Sequence, residues 1–330
     1  MTYHLSLLDK SPIESGRTAD QALQLTAQLA GRAEQLGYHR FWVAEHHNID
    51  GLASSAPEVL IAYLLARTSK IRIGSGGVML QHYSAYKVAE TFNLLASLAP
   101  GRVDLGVGKA PGGFPVATRA LQSSVDPSRR RDFADQLADI NTYLAAEPDP
   151  DRARATPIPT VAPHRFLLGA SVDSAELAAR QGWTLVFAGH LNGDRDNLRR
   201  TFEAYGRATN GQVPILALAA FAADNAAHAH ERVGELRIVK VFLPDGQSVN
   251  VGTQEQAAEF ARQSGFADFH TEEKVPTVLH GTARQIREEL DELHALFGVS
   301  EFILDTPALT ASERLNSIEL LAKERLSLVA

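Results

Sequence analysis

The chain contains no cysteine in 330 residues. That absence excludes thiol nucleophiles, disulfides, cysteine zinc sites and iron–sulfur clusters, and it suits a reducing compartment. A cytoplasmic location is the expectation. Blocks of basic residues are missing too. The net charge is -7, and no extended basic block or aromatic-rich basic patch occurs, which argues against nucleic acid as a partner. No uninterrupted apolar stretch is long enough to cross a bilayer. Residues 1–10 lack the charged segment and apolar core of a secretion signal, so no membrane association is expected. Phosphate fingerprints are also wanting. The first strand ends in Asp9-Lys10-Ser11-Pro12, without the glycines of a dinucleotide-binding turn. Gly106 to Gly112 is no P-loop, because Ala110 stands where Ser or Thr is required.

What is present is ordinary globular composition, 45% hydrophobic and 22% charged. Strand-like apolar runs at 5–8, 41–45, 71–80, 103–107, 166–169, 185–188, 215–220 and 302–304 alternate with helical patterns. The helices are expected at 18–36, 57–67, 85–98, 129–144, 175–181, 194–207, 282–297 and 311–329. Thr18 with Gln21, and Thr282 with Gln285, form capping boxes, and Pro57 sits in a first helical turn. Eight such repeats predict a parallel sheet closed as a (β/α)₈ TIM barrel, a single domain over 1–330. Residues 148–163 read as an exposed linker. Residues 243–276 show no clean core strand and read as an insertion before the last helix–strand unit, long enough to act as a lid.

Chemistry-bearing residues gather at predicted strand ends, where parallel barrels hold their sites. Phe41-Trp42-Val43-Ala44-Glu45-His46-His47 ends an apolar run in a carboxylate and two imidazoles. Alternation along a strand sends His46 and His47 to opposite sides, one toward a pocket and one into the protein. Gly74-Ser75-Gly76-Gly77 interrupts the third strand and predicts either a closure kink or close approach of a flat ligand. Lys109 follows the fourth strand and suits an anionic group or plain solvent. Ser171 and Ser174 open a helix whose free N–H groups form a ready phosphate site; simple capping, with Asp173 and Glu176 as the pair, is the alternative. A metal site from His46, His47, His82, His190 and Asp305 is the rival arrangement. It lacks a His-x-His pair in the first strand and a zinc-binding helix motif, so no metal is expected.

Taken in order, Ala44-Glu45-His46-His47-Asn48, Ile73 to Leu80, Leu98-Ala99-Pro100-Gly101-Arg102-Val103-Asp104-Leu105-Gly106-Val107-Gly108, Pro111-Gly112 and Leu168-Gly169-Ala170-Ser171 resemble the bacterial luciferase-like flavin-dependent monooxygenase family over essentially the whole chain. The resemblance implies a barrel that binds FMN, or in some branches a deazaflavin. It implies catalysis of a monooxygenation of a small organic substrate with O₂ and reduced FMN supplied by a separate flavin reductase. By position, His46 becomes the catalytic imidazole, with Glu45 orienting it or its loop and His47 structural. Gly76 and Gly77 lie beneath the flavin ring, joined by a cis peptide, and Lys109 meets the phosphate with Ser171 and Ser174. Lys109 stands where the family usually carries Arg, a point charge in place of a planar fork. Substrate is expected to arrive past Gln81, His82 and Tyr83. The nearly all-apolar helix at 57–67, with Tyr86, Phe92 and Leu95 of the next helix, predicts a homodimer. The alternatives are a barrel metal-dependent hydrolase and a non-catalytic flavin-binding partner subunit.

Overall fold

The computed structural model describes residues 3–126, 128, 131–145, 151, 153–189, 194–307 and 310–327, the side chains of 325–327 excepted. In chain order the strands are β1 (His4–Asp9), β2 (Arg40–Val43), β3 (Arg72–Ser75), β4 (Val78–Met79), β5 (Val103–Gly108), β6 (His164–Gly169), β7 (Thr184–Ala188), β8 (Ile215–Ala222), β9 (Ile238–Phe242), β10 (Ser248–Val251), β11 (His270–Lys274), β12 (Leu279–Gly281) and β13 (Glu301–Asp305). The helices are α1 (Ala19–Gln35), α2 (Pro57–Arg67), α3 (Ala85–Leu98), α4 (Pro115–Leu121), α5 (Phe133–Tyr143), α6 (Val172–Gln181), α7 (Arg195–Ala208), α8 (Ala226–Gly234), α9 (Gln254–Gln263), α10 (Ala283–Phe297) and α11 (Ala311–Ser327). Parallel pairing runs from β1 through β2, β3 with β4, β5, β6, β7, β8 and β13, and returns to β1. Eight strand positions thus close into the expected (β/α)₈ barrel.

Local signals explain most of the boundaries. In α1 the Thr18 side chain accepts from the Gln21 N–H while Gln21 reaches back to the Thr18 N–H, and Thr282 with Gln285 does the same for α10. These reciprocal bonds satisfy donors that a helix leaves orphaned. The single strand expected at 71–80 is two short strands. They are separated at a cis Gly76–Gly77 peptide and followed by one 3-10 turn, Leu80–His82. Both glycines are closely packed, Gly77 against backbone that cannot readily give way and Gly76 against side chains. A Cβ on Gly76 would lie 2.7 Å from Leu8 Cδ1, and one on Gly77 2.9 Å from the Gly106 carbonyl oxygen. The kink and the tight packing therefore have one cause.

The insertion differs from its expected bounds. Helix α8 packs back on the end of β8, and strand β9 already departs from the barrel before residue 243. β9 then pairs antiparallel with β10 and β11, and β12 returns alongside the end of β8. The segment at 238–242 escaped notice because it alternates. Val239 and Val241 are buried while Ile238, Lys240 and Phe242 are half-buried, the pattern of a sheet packed on one face. The start of the helix expected from 129, the end of the one expected to 329, part of the 148–163 linker and His190 lie outside the described residues.

At the opposite end of the barrel from these loops, the strand starts carry a buried ion cluster. Arg40 donates to Glu301 through Nε at 2.6 Å and Nη2 at 2.8 Å, and to Asp104 through Nη1 at 2.8 Å. Asp104 also accepts from Arg72 Nε at 2.9 Å and from Trp42 Nε1 at 3.0 Å. It is fully buried. The cluster ties the starts of β2, β3, β5 and β13 together.

Candidate active site

A cavity of about 1080 Å³ opens at the carboxyl ends of the barrel strands. Small-molecule sites run to roughly 300–1,000 Å³, so this one has room for a large ligand or two smaller ones. His46, Gly76, Gly77, Lys109 and Ser174 all line it. Of the sequence-predicted site residues, Glu45 and Ser171 do not. Leu8, Ala44, Met79 and Leu168 give it an apolar wall, and Asn250, Glu255, Gln256 and Glu259 from the inserted unit cover it. That cover has its own core of Val239, Val241, Val251 and Phe260, against which Phe114 packs with ring centroids 5.6 Å apart.

The Glu45-His46-His47 triplet lies just beyond β2, and its two imidazoles part company. His47 hydrogen-bonds through Nε2 to Glu45 Oε1 at 2.7 Å, and its backbone N–H donates to the Gly112 carbonyl at 2.8 Å. Gly112 adopts a left-handed φ of 64°, a turn that suits glycine. Glu45, fully buried, also accepts from Tyr83 Oη at 2.8 Å and from the Met79 N–H at 3.0 Å. Burial first, and the Glu45 carboxylate second, push the Tyr83 pKa up, so it stays a donor. Glu45 is therefore a buried clamp between the β2 loop and the strand that follows Gly77.

His46 instead faces the cavity. Its Nδ1 is buried and has no hydrogen-bond partner among the described residues. Burial, and then the nearby Lys10 charge, hold its pKa down to about 4, against a smaller opposing effect of Asp305. Near neutral pH it is an uncharged imidazole. It can donate or accept one hydrogen bond there, and it resists becoming a cation.

Across the cavity, α6 begins at Ser171. The Ser171 hydroxyl accepts from the Ser174 N–H at 3.3 Å and lies 3.0 Å from the Ser174 hydroxyl. Ser171 is thus the cap of this helix, in place of the Asp173–Glu176 pair. Gly169 lets the helix approach, since a Cβ there would come within 2.4 Å of Ser174. Lys109 is exposed, and its carbonyl accepts from Gln81 Nε2 at 2.7 Å.

Gln81, His82 and Tyr83, past which substrate is expected to arrive, do not themselves line the cavity. His82 Nε2 bonds the Pro111 carbonyl at 2.8 Å and Nδ1 meets Gln122 at 3.0 Å, while Gln81 and Tyr83 are held as above. These three side chains brace the loops. Among the described residues no three His, Asp or Glu side chains are grouped to hold a metal ion. Sequence reasoning passed over Lys10, which lines the cavity and donates to Asp305 Oδ2 at 2.5 Å. A lysine one residue past a barrel strand was the available signal.

Residues 1–300 match the family model described as luciferase-like monooxygenase. The chain belongs to the luciferase-like monooxygenase family. N-acetyl-S-alkylcysteine monooxygenase of Bacillus subtilis (strain 168) is 45% identical over 325 residues, covering 96% of this chain and 97% of that protein. Among solved structures, apo-MsnO8 superposes with a TM-score of 0.79 at 30% identity over 98% of both chains. The oxygenating constituent of 3,6-diketocamphane monooxygenase from Pseudomonas putida, in complex with FMN, gives a TM-score of 0.69 at 19% identity over 98% of both chains, a likeness of fold. Within this luciferase-like monooxygenase the triplet, the glycine-rich strand and the α6 turn all reach one cavity.

Proposed function

We propose that this chain is the oxygenating component of a two-component monooxygenase, using reduced FMN supplied by a separate reductase, and O₂, on a small thioether of the N-acyl-S-alkylcysteine type. The observation that carries the reading is that one cavity is lined by His46, Gly76, Gly77, Lys109 and Ser174 in a chain of this family. The substrate class is supported by the relative that is 45% identical.

The residues present fit the cofactor. The side-chain-free surface at Gly76 and Gly77 suits a flat ring system, and the buried, unpartnered His46 Nδ1 marks a polar group set in an apolar wall. Lys109 with the positive N-terminal end of α6, where the Ser174 N–H is capped by Ser171, offers a cation and a helix dipole to a phosphate. When bound, reduced FMN supplies the electrons that activate O₂. The chain's own part is to hold and enclose. Its apolar wall and inserted cover exclude water, the Glu45 clamp fixes the β2 loop, and neutral His46 offers a hydrogen bond at the reacting end.

Titration with FMN and with the deazaflavin, followed by fluorescence, tests the cofactor, and substrate-dependent O₂ uptake with supplied reduced FMN tests the reaction. Lys109→Ala is expected to weaken FMN binding by roughly 1.5–3 kcal/mol, the value of a hydrogen bond to a charged group. Unchanged affinity removes Lys109 from the phosphate.

The homodimer belongs to the same proposal, on different residues from those first expected. Phe92 and Leu95 are 1% and 4% exposed, buried in their own chain, and Tyr86 packs on Tyr143 with centroids 5.2 Å apart. The apolar side chains that α2 and α3 do present are Val59, Tyr63, Leu94 and Leu98, the last 69% exposed. Exposed apolar groups on neighbouring helices suit a second copy. Light scattering at micromolar concentration is expected to give a dimer, and Leu94→Glu with Leu98→Glu a folded monomer. A monomeric parent protein ends the dimer proposal.

A further inference from the structure

Two lysines line the cavity, and they stand apart on its rim. Lys109 follows β5, next to β6 and the α6 N-terminus. Lys10 follows β1, between β13, which ends in Asp305, and β2, which leads to His46. A phosphate taken up at Lys109 and Ser174 leaves Lys10 as the second cation, on the far flank of His46. The β1 loop that carries it is fastened. Ser11 holds a φ of 50°, its buried hydroxyl lies 2.8 Å from Thr26 Oγ1, and its carbonyl accepts from the Ala53 N–H at 3.0 Å. Pro12 bridges to Leu52, and the Ile13 N–H donates to the Gly51 carbonyl at 2.8 Å. The β1 and β2 loops are thus zipped into one unit that fixes Lys10 relative to His46.

We propose that Lys10, steadied by Asp305, is the specificity-determining residue that takes the carboxylate of the substrate. This rests on the monooxygenase reading for the identity of the site and adds the group that selects the ligand. An ammonium has three donors, and Asp305 occupies one at 2.5 Å. The Lys10 side chain is still 31% exposed. The other charged groups in the wall are Asp50, Glu255 and Glu259, all carboxylates, with Glu259 bonded to Arg262 and Gln263. They repel an anion and leave the lysines to attract it. The Lys10 charge is also felt at His46, where it is second to burial in keeping the ring neutral. An acid held on Lys10 therefore has its thioether end beside His46, within the apolar wall.

The test is calorimetric binding of N-acetyl-S-propylcysteine and its methyl ester to the FMN-loaded protein, alongside O₂ uptake. The parent protein is expected to bind the acid roughly 10–100-fold more tightly than the ester, the scale of one charge-assisted hydrogen bond. Lys10→Met is expected to erase that preference while FMN affinity, read by fluorescence, is kept. Lys10→Met combined with Asp305→Asn removes both charges, so it guards against misfolding from an unpaired buried carboxylate, and should behave alike. Equal binding of acid and ester by the parent protein, no binding of either, or a preference that survives in both variants overturns the assignment. Acid-selective binding without O₂ uptake would keep Lys10 in its role and sink the monooxygenase reading instead.

Discussion

Replacing His46 with Ala is expected to lower turnover by roughly 10²–10⁴-fold, the range for a lost proton-transfer or hydrogen-bonding group, with the fold and most of the FMN affinity retained. The reason is positional. His46 is the imidazole on the cavity side of the triplet, and its Nδ1 has no partner among the described residues. His47 is bonded to Glu45 and to Gly112, so His47→Ala should act on stability and on the shape of the β2 loop. The His46 pKa adds a second readout. Its folded value of about 4 lies below the ordinary 6.5, so between these the unfolded chain binds a proton that the folded chain refuses. This stabilisation is complete above pH 6.5 and is lost as pH falls through the window toward 4, a total of about 3 kcal/mol. Urea unfolding of the ligand-free protein at pH 7 and pH 4.5 should therefore show a steeper acid loss in the parent than in His46→Ala. Near-normal turnover in the variant, measured as substrate-dependent O₂ uptake, would return the triplet to a structural role.

The largest expected loss of stability comes from the other end of the barrel. Asp104→Ala leaves the Arg40 and Arg72 guanidiniums facing each other without the carboxylate between them, and it strips Trp42 Nε1 of its acceptor. Breaking a buried ion pair by removing one partner costs about 3–5 kcal/mol, because the charge left behind is not resolvated. Glu301 still pairs Arg40, which sets the expectation toward the lower figure. Equilibrium denaturation would record it as a lower midpoint with an unchanged slope. A change below about 1 kcal/mol would mean that water reaches the cluster and screens it.

Asp104 also illustrates what the sequence could and could not convey. It was visible within the Leu98 to Gly108 string that carries the family resemblance, yet nothing local says why a carboxylate sits in an apolar strand. The answer lies in Arg40 and Glu301, 64 and 261 positions from their partners in the cluster. The barrel itself was legible because its strands are buried on both faces and read as continuous apolar runs, and because the caps at Thr18 and Thr282 are local chemistry. His46 and Lys109 were legible because strand ends are where such folds place polar groups. The cover was harder to read. Its strands are short and alternating, and its helix α9 carries polar residues on the face that meets the cavity, so no hydrophobic pattern announced it. Lys10 was overlooked for a similar reason: its meaning depends on Asp305, which follows the last strand and reaches it only when the barrel closes.

The cover is built as a self-sufficient unit. Strands β9 and β10 and helix α9 share a core that draws on the rest of the chain chiefly through Phe114, and β11 joins them by pairing with β9. The His46 N–H donates to the Ser54 carbonyl in the loop after β2, and its neighbours Ala44 and Glu45 are held by Asp9 of β1 and Met79 of β4, with no bond among these from the cover. What the cover contributes to the shape of the pocket, unlike the charge at Lys10, therefore lies in a part of the polypeptide apart from the His46 loop. Exchanging 238–274 for the corresponding cassette of a relative, with Phe114 matched to it, would re-tailor what the pocket admits and leave the reacting centre intact, a modular handle for building new oxygenases on one chassis.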